Sequence, residues 1–210
     1  MLLLKRAFSL AEILVTLAII GVIAALTIPA LQQNANNAAI ATNLKKIYSE
    51  LNQVTANILA QNEVNKLSRT VYLDDEDTFY NEFVKKELNV ISECDASSQE
   101  KCFGTTSLPV TRSFLLNSGI AISFLYTEHS KDAGVPVFVD VNGPKPPNKG
   151  GTDQFMLKMT NEGLVYTGQG AASTKQATST SNTCTSGTDD YALAWACAAK
   201  IQLDGWNVKY

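Results

Sequence analysis

Histidine is nearly absent from this chain of 210 residues: it occurs once, as His129, inside the polar run TEHSKD. A hydrolytic triad needs a base within hydrogen-bond reach of its nucleophile, most often a histidine. His129 has no nucleophile motif such as GxSxG beside it, so it reads as part of an exposed turn. No CxxC pair occurs, and a single histidine cannot complete the ligand set of a zinc site. The clusters GQG at 168–170 and KGG at 149–151 lack the strand, helix start and Lys-Ser/Thr ending of a phosphate cradle. No carboxylate pair stands out for glycoside chemistry. These absences argue against an enzyme, a bound cofactor and a metal centre.

Positive charge is also sparse. The chain carries 17 Lys and Arg against 20 Asp and Glu, a formal net charge of -3, and no basic tract of the kind that grips a phosphate backbone. Nucleic acid is not an expected partner.

The chain's one excess lies near its start. Residues 7–31 read AFSLAEILVTLAIIGVIAALTIPAL, an apolar run of membrane length with one acid, Glu12, near the beginning. From Ile13 to Leu31 a helix would rise about 28 Å, enough to cross the hydrocarbon of a bilayer. A charge at the centre of such a helix costs roughly 2.5 to 3.5 kcal/mol on insertion scales, so an acid here calls for a partner. The leader MLLLKRA explains what that partner is. A secretory signal places its small-residue cut after the apolar run. Here Lys5, Arg6 and the small Ala7 come before it, so a cut after Ala7 leaves the apolar segment on the mature chain and frees an amine at Phe8. That amine is cationic near neutral pH, and Glu12 lies four residues along the same helical face. Lys5 and Arg6 place the leader on the cytoplasmic side.

The residues Lys5, Arg6, Ala7, Phe8, Glu12, Gly21 and Pro29, with the run LAIIGVIAALTIPAL between, resemble the type IV pilins and the related pseudopilins of type II secretion. The resemblance covers about the first 30 residues. It implies cleavage between Ala7 and Phe8 by a prepilin peptidase, N-methylation of Phe8, and assembly through Phe8, Glu12, Gly21 and Pro29, with Glu12 pairing with the Phe8 amine of a neighbouring subunit. Ala7 stands where the family usually has glycine; it is still small. The implied function is a structural subunit of a pilus-like filament, a homo- or hetero-polymer with other pilin subunits. Its further partners would be the inner-membrane assembly machinery and, before assembly, membrane lipid. The alternatives are a pseudopilin of a type II secretion system and a single-span anchored binding module. Loss of Lys5 and Arg6 with the leader would carry the formal charge from -3 to about -5.

The expected fold is α+β: a long N-terminal hydrophobic helix packed on an antiparallel β-sheet, as in pilins. The expected boundaries are a leader at 1–7, a membrane or filament-core half-helix at 8–31, and a globular part at 32–210, periplasmic or extracellular. The helical pattern runs from Phe8 to about Asn62. Gly21 weakens it and Pro29, whose ring crowds the carbonyl of Ala25, costs about 3 kcal/mol inside a helix, so the stretch between them is a weak point. In the family it resembles, this stretch can lose regular structure on assembly. Beyond it, Ile40, Leu44, Ile47, Leu51, Val54 and Ile58 recur at spacings of four and three and mark one apolar face; Lys46 and Glu50 are spaced for an ion pair on the other.

Asp74, Asp75, Glu76 and Asp77 suit the first turn of a helix from about Thr78 to Ile91 better than a metal site. Strand signals follow at 119–126, 135–141, 153–160 and 163–167, the last two joined by a hairpin at Asn161-Glu162-Gly163. Three prolines and three glycines in 143–151 make a loop. Asp140, Asn142 and Asp153 around it raise a calcium reading, but the EF-hand pattern fails: Gly143 comes too early and residue 151 is glycine where glutamate is required. An Asx turn is the expectation. Residues 168–188 are poor in apolar side chains and read as exposed and mobile. A short helix capped by Asp189 or Asp190 and a final edge strand in DGWNVKY complete the chain. Cys94, Cys102, Cys184 and Cys197 fall in the part expected to meet an oxidising compartment. Of three possible connectivities, the local pairs Cys94 with Cys102 and Cys184 with Cys197 are favoured, each worth roughly 2.5 to 3 kcal/mol by loop closure.

Overall fold

The computed structural model describes residues 9–105, 108–167, 184, 186–187 and 191–210. The leader, most of the segment 168–188, and Asp189 and Asp190 as caps lie outside the described residues. The chain divides into two compact units, 1–39 and 40–210. Helix α1 (Leu10–Gln61) enters both. In the first unit it is an apolar rod without a buried face. In the second it presents Ala41, Leu44, Ile47, Leu51, Val54, Thr55 and Ile58 to the core. That is the apolar stripe read from the sequence, shifted slightly: Ile40 is only partly buried and Ala41 takes its place. Lys46 and Glu50 form no ion pair. The helix ends where Glu63 adopts a left-handed φ of 54°.

Helix α2 runs from 76 to 87 in three pieces: Glu76–Thr78, a π-helical turn Phe79–Val84, and Lys85–Glu87. Asp75 caps it, accepting from the Thr78 N–H at 2.8 Å. The widened turn places Phe79, Tyr80, Phe83 and Val84 together in the core. The expected continuation to Ile91 is overturned. Leu88 turns extended (φ -104°, ψ 141°), and the branched pair Val90-Ile91, a poor helix end, opens a strand instead.

That strand is β1 (Val90–Asp95), followed by helix α3 (Gln99–Phe103), β2 (Arg112–Leu116), β3 (Ala121–Phe124), the single turn α4 (Ser130–Ala133), β4 (Val135–Asp140), β5 (Gln154–Met159), β6 (Val165–Thr167) and helix α5 (Tyr191–Leu203). The six strands pair antiparallel in sequence order. The register sets Phe114 opposite Ile122, Ile122 opposite Val139 and Val139 opposite Phe155. These side chains share one face and join the α1 stripe in the main core. Alternate residues Ala121, Phe138 and Met156 point to the other face, where Phe103 of α3, Leu108 and Val110 cover them. Two side-chain bonds tie α1 to the sheet: Asn52 Oδ1 accepts from the Val165 N–H at 3.0 Å, and Asn43 Nδ2 donates to the Val141 carbonyl at 3.0 Å. The hairpin at 161–163 closes through Thr160 N–H to Leu164 O. The expected strand in DGWNVKY is absent. Trp206 takes a left-handed φ of 63° that breaks extension and packs tilted against Tyr48, ring centroids 5.3 Å apart, and the Tyr210 hydroxyl donates to Gly151 O instead.

Cys94 and Cys102 are joined, linking β1 to α3, and Cys184 is joined to Cys197 of α5. The result is an α+β arrangement of pilin-like kind. Leu51→Ala should lower the unfolding free energy of the detergent-solubilised chain by about 2 to 5 kcal/mol, because Leu51 is wholly enclosed. Leu17→Ala, at a residue 60% exposed, should change it by less than about 0.5 kcal/mol. Denaturant titration of both variants measures the contrast; equal losses would refute the division of α1 into a packed half and an unpacked one.

Candidate assembly segment and a buried acid pair

In residues 9–31 every side chain except Ala24 is exposed. The helix holds an 18-residue window of mean hydropathy 2.6 with none of it buried, so one helix of the chain is long and apolar enough to cross a membrane. Leu10, Leu14, Leu17, Ile20, Leu26 and Leu31 point around its whole circumference. An apolar surface of this size, uncovered among the described residues, suits burial in lipid or against protein. Gly21 adds to the smooth wall: a Cβ there would meet nothing within 4 Å. Pro29 sits inside unbroken helix.

Glu12 is bonded within its own chain. Its Oε2 accepts from the Ser9 N–H at 2.8 Å and from the Ser9 hydroxyl at 2.9 Å, while the Glu12 N–H donates to Ser9 Oγ at 3.2 Å. This is a capping box, Ser-x-x-Glu, in which serine and acid satisfy each other's open donors at a helix start. Thr16 and Thr27 likewise bond to the carbonyls of Ile13 and Ile23. Ala7 and Phe8 lie outside the described residues. The pairing of Glu12 with Ser9 was legible at the sequence level in the S-x-x-E spacing, which is overshadowed by the apolar run.

A second feature lies in the globular unit. Asp140, at the end of β4, and Asp153, before β5, are both buried. All four of their carboxylate oxygens accept from N–H groups of the chain. Asp140 Oδ1 takes the Asn142 N–H at 3.1 Å, and Oδ2 takes Gln154 Nε2 at 3.0 Å. Asp153 takes the N–H groups of Asn148 and Lys149 at 2.9 and 2.7 Å and Asn142 Nδ2 at 3.2 Å. The bond from Asn142 N–H to Asp140 is an Asx turn. Asn142 Oδ1 is left buried without a donor. Gly104, φ 64°, abuts Asn148 so closely that a Cβ would stand 2.3 Å from its side-chain nitrogen, and Gln154 Nε2 also donates to Phe103 O at 3.2 Å. The disulfide-linked segment thus presses directly on the loop. Burial, and next the Asp153 charge, push the Asp140 carboxyl up to about 8 against the hydrogen bonds that it accepts.

The acids at 74–77 serve structure. Asp75 caps α2, and the bonds from Thr78 hold it below the usual carboxylate range. Asp74 pairs with Lys131, Asp77 with Arg112 at 2.6 Å, and Glu76 accepts from Thr111 at 2.6 Å. Arg112 also reaches Glu93 at 3.7 Å and lies over the Tyr80 ring at 5.0 Å. His129 precedes the single turn α4. Among the described residues no group of three or more His, Cys, Asp or Glu could hold a metal ion.

Comparison with protein-family models, curated proteins and solved structures finds no match to this chain.

A native Asp140 that keeps its proton to about pH 8 binds more protons than the unfolded chain, whose aspartates ionise near 3.9. Stability therefore falls as pH rises from about 4 to 8. Asp140→Asn removes this dependence, so its stability curve should be flatter than wild type by up to about 1.4 kcal/mol per pH unit within that window. Denaturant unfolding at pH 5 and 7.5 measures it, and parallel curves would contradict the burial argument.

Proposed function

We propose that this chain is a structural subunit of a type IV pilus-like filament. The observation that carries the reading is the apolar half of α1, exposed around its whole circumference, with Glu12 near its start as its one charged residue. Such a helix is stable in lipid or among sister helices and not in water. The leader order of Lys5, Arg6 and Ala7 before the apolar run supports a cut that frees the Phe8 amine, with methylation there. On this reading the helix enters the inner membrane with its N-terminus cytoplasmic, and the disulfide-linked globular unit lies outside. Assembly exchanges lipid contact for helix contact, so the segment leaves the bilayer only with partners. Glu12 and a neighbour's Phe8 amine set the register, because either charge alone in an apolar core is costly. Gly21 and Pro29 mark where the helix yields as subunits pack. The chain acts by polymerising, not by catalysis. A secretion pseudopilin would use the same chemistry in a shorter polymer.

Glu12→Ala should leave subunit levels in the membrane unchanged while filament yield falls at least about tenfold, the equivalent of roughly 1.4 kcal/mol. Shearing filaments from cells and quantifying subunit in the sheared and membrane fractions tests this. Wild-type filament yield from the variant would overturn the proposal.

A further inference from the structure

Ser9 is the residue that nothing in the pilus-like reading uses. Four polar residues occur in 9–31, namely Ser9, Glu12, Thr16 and Thr27, and each bonds back into its own helix. The two threonines thereby hide their hydroxyls. Glu12 is different. Both Ser9 donors fall on the same oxygen, Oε2, at 2.8 and 2.9 Å. Among the described residues Oε1 accepts no hydrogen bond. A carboxylate has about four lone-pair positions, so this arrangement holds the side chain along the helix axis toward the N-terminus while half of its accepting capacity stays open.

We infer that Ser9 is a positioning residue for subunit assembly: its hydroxyl and N–H pin Glu12 Oε2 and present Oε1 to the cationic amine of an incoming second copy of this chain. The inference rests on the filament reading above. A glutamate side chain free to rotate loses that freedom when it pairs. Ser9 removes this cost beforehand, as preorganisation does in any recognition site. The approach requires no displacement of the capping box, because the amine and the serine use different oxygens. The Glu12 N–H bond to Ser9 Oγ at 3.2 Å fixes the hydroxyl in turn, so that its proton points at the acid.

The test is the subunit level at which filaments first appear when full-length wild type, Ser9→Ala, Ser9→Gly and Ser9→Thr are expressed at graded levels. Only subunits shown by mass spectrometry to have lost the leader are counted, since Ser9 adjoins the cut. Ser9→Ala and Ser9→Gly should each raise the threshold about fivefold. Ser9→Thr, which keeps the hydroxyl, should stay within about twofold of wild type. Glycine is the informative variant: it caps helices nearly as well as serine but brings no hydroxyl. An unchanged threshold in Ser9→Gly reduces Ser9 to a helix cap and overturns the inference, as does a lowered threshold in either variant. Those outcomes leave the filament reading standing. Processed wild type that forms no polymer at any level removes the filament reading and this inference together.

Discussion

The apolar half of α1 is exposed among the described residues, and it sets the constraint on which the account depends. Hydrophobic surface from Leu10 to Leu31 is continuous around the helix, unlike the one-sided stripe from Ala41 to Ile58. The stripe is satisfied by the sheet. The rod has no such partner among the described residues. All polar groups in the rod turn inward on their own backbone or on each other, which lowers the cost of placing it in lipid. Glu12 is the one charged residue of the rod, and among the described residues its Oε1 accepts no hydrogen bond.

The globular unit is built to be rigid by different means. A six-stranded meander in sequential order needs no long crossover, so its contacts are between neighbours in sequence. Its main face takes α1 and the aromatic residues of the π-helical turn; the smaller face takes α3. The loop between β4 and β5 is organised by two buried aspartates whose oxygens accept from amide donors, which gives a proline- and glycine-rich segment a fixed shape. Phe103 and Gly104, next to Cys102, meet this region: Gln154 Nε2 donates to Phe103 O and Gly104 abuts Asn148.

Much of this architecture was legible beforehand because it follows from periodicity. The 3.6-residue spacing of Leu44, Leu51 and Ile58 marked the packed half of α1, and the branched runs around Val137 and Leu157 marked the central strands. β1 and β2 were not read. Val90-Ile91 adjoins a helical pattern and is followed by the polar SECD, while RSFLL is short and has no clear alternation; β2 becomes a strand against the edge of β3 and β1 against the edge of β2, a non-local effect. The final strand failed for a local reason, the left-handed turn at Trp206. At the candidate site, Glu12 announces itself as a charge among apolar residues. Ser9 does not, since its role depends on which oxygen of the acid it holds. Asp140 could be placed at a loop, but not its burial beside Asp153, which depends on the tertiary fold.

The most direct test of the account is N-terminal sequencing and mass analysis of filaments sheared from cells that make this protein. The account predicts polymer whose subunits begin at an N-methylated Phe8. A chain that retains Met1 to Ala7, and is found only in membranes and never in polymer, would contradict it.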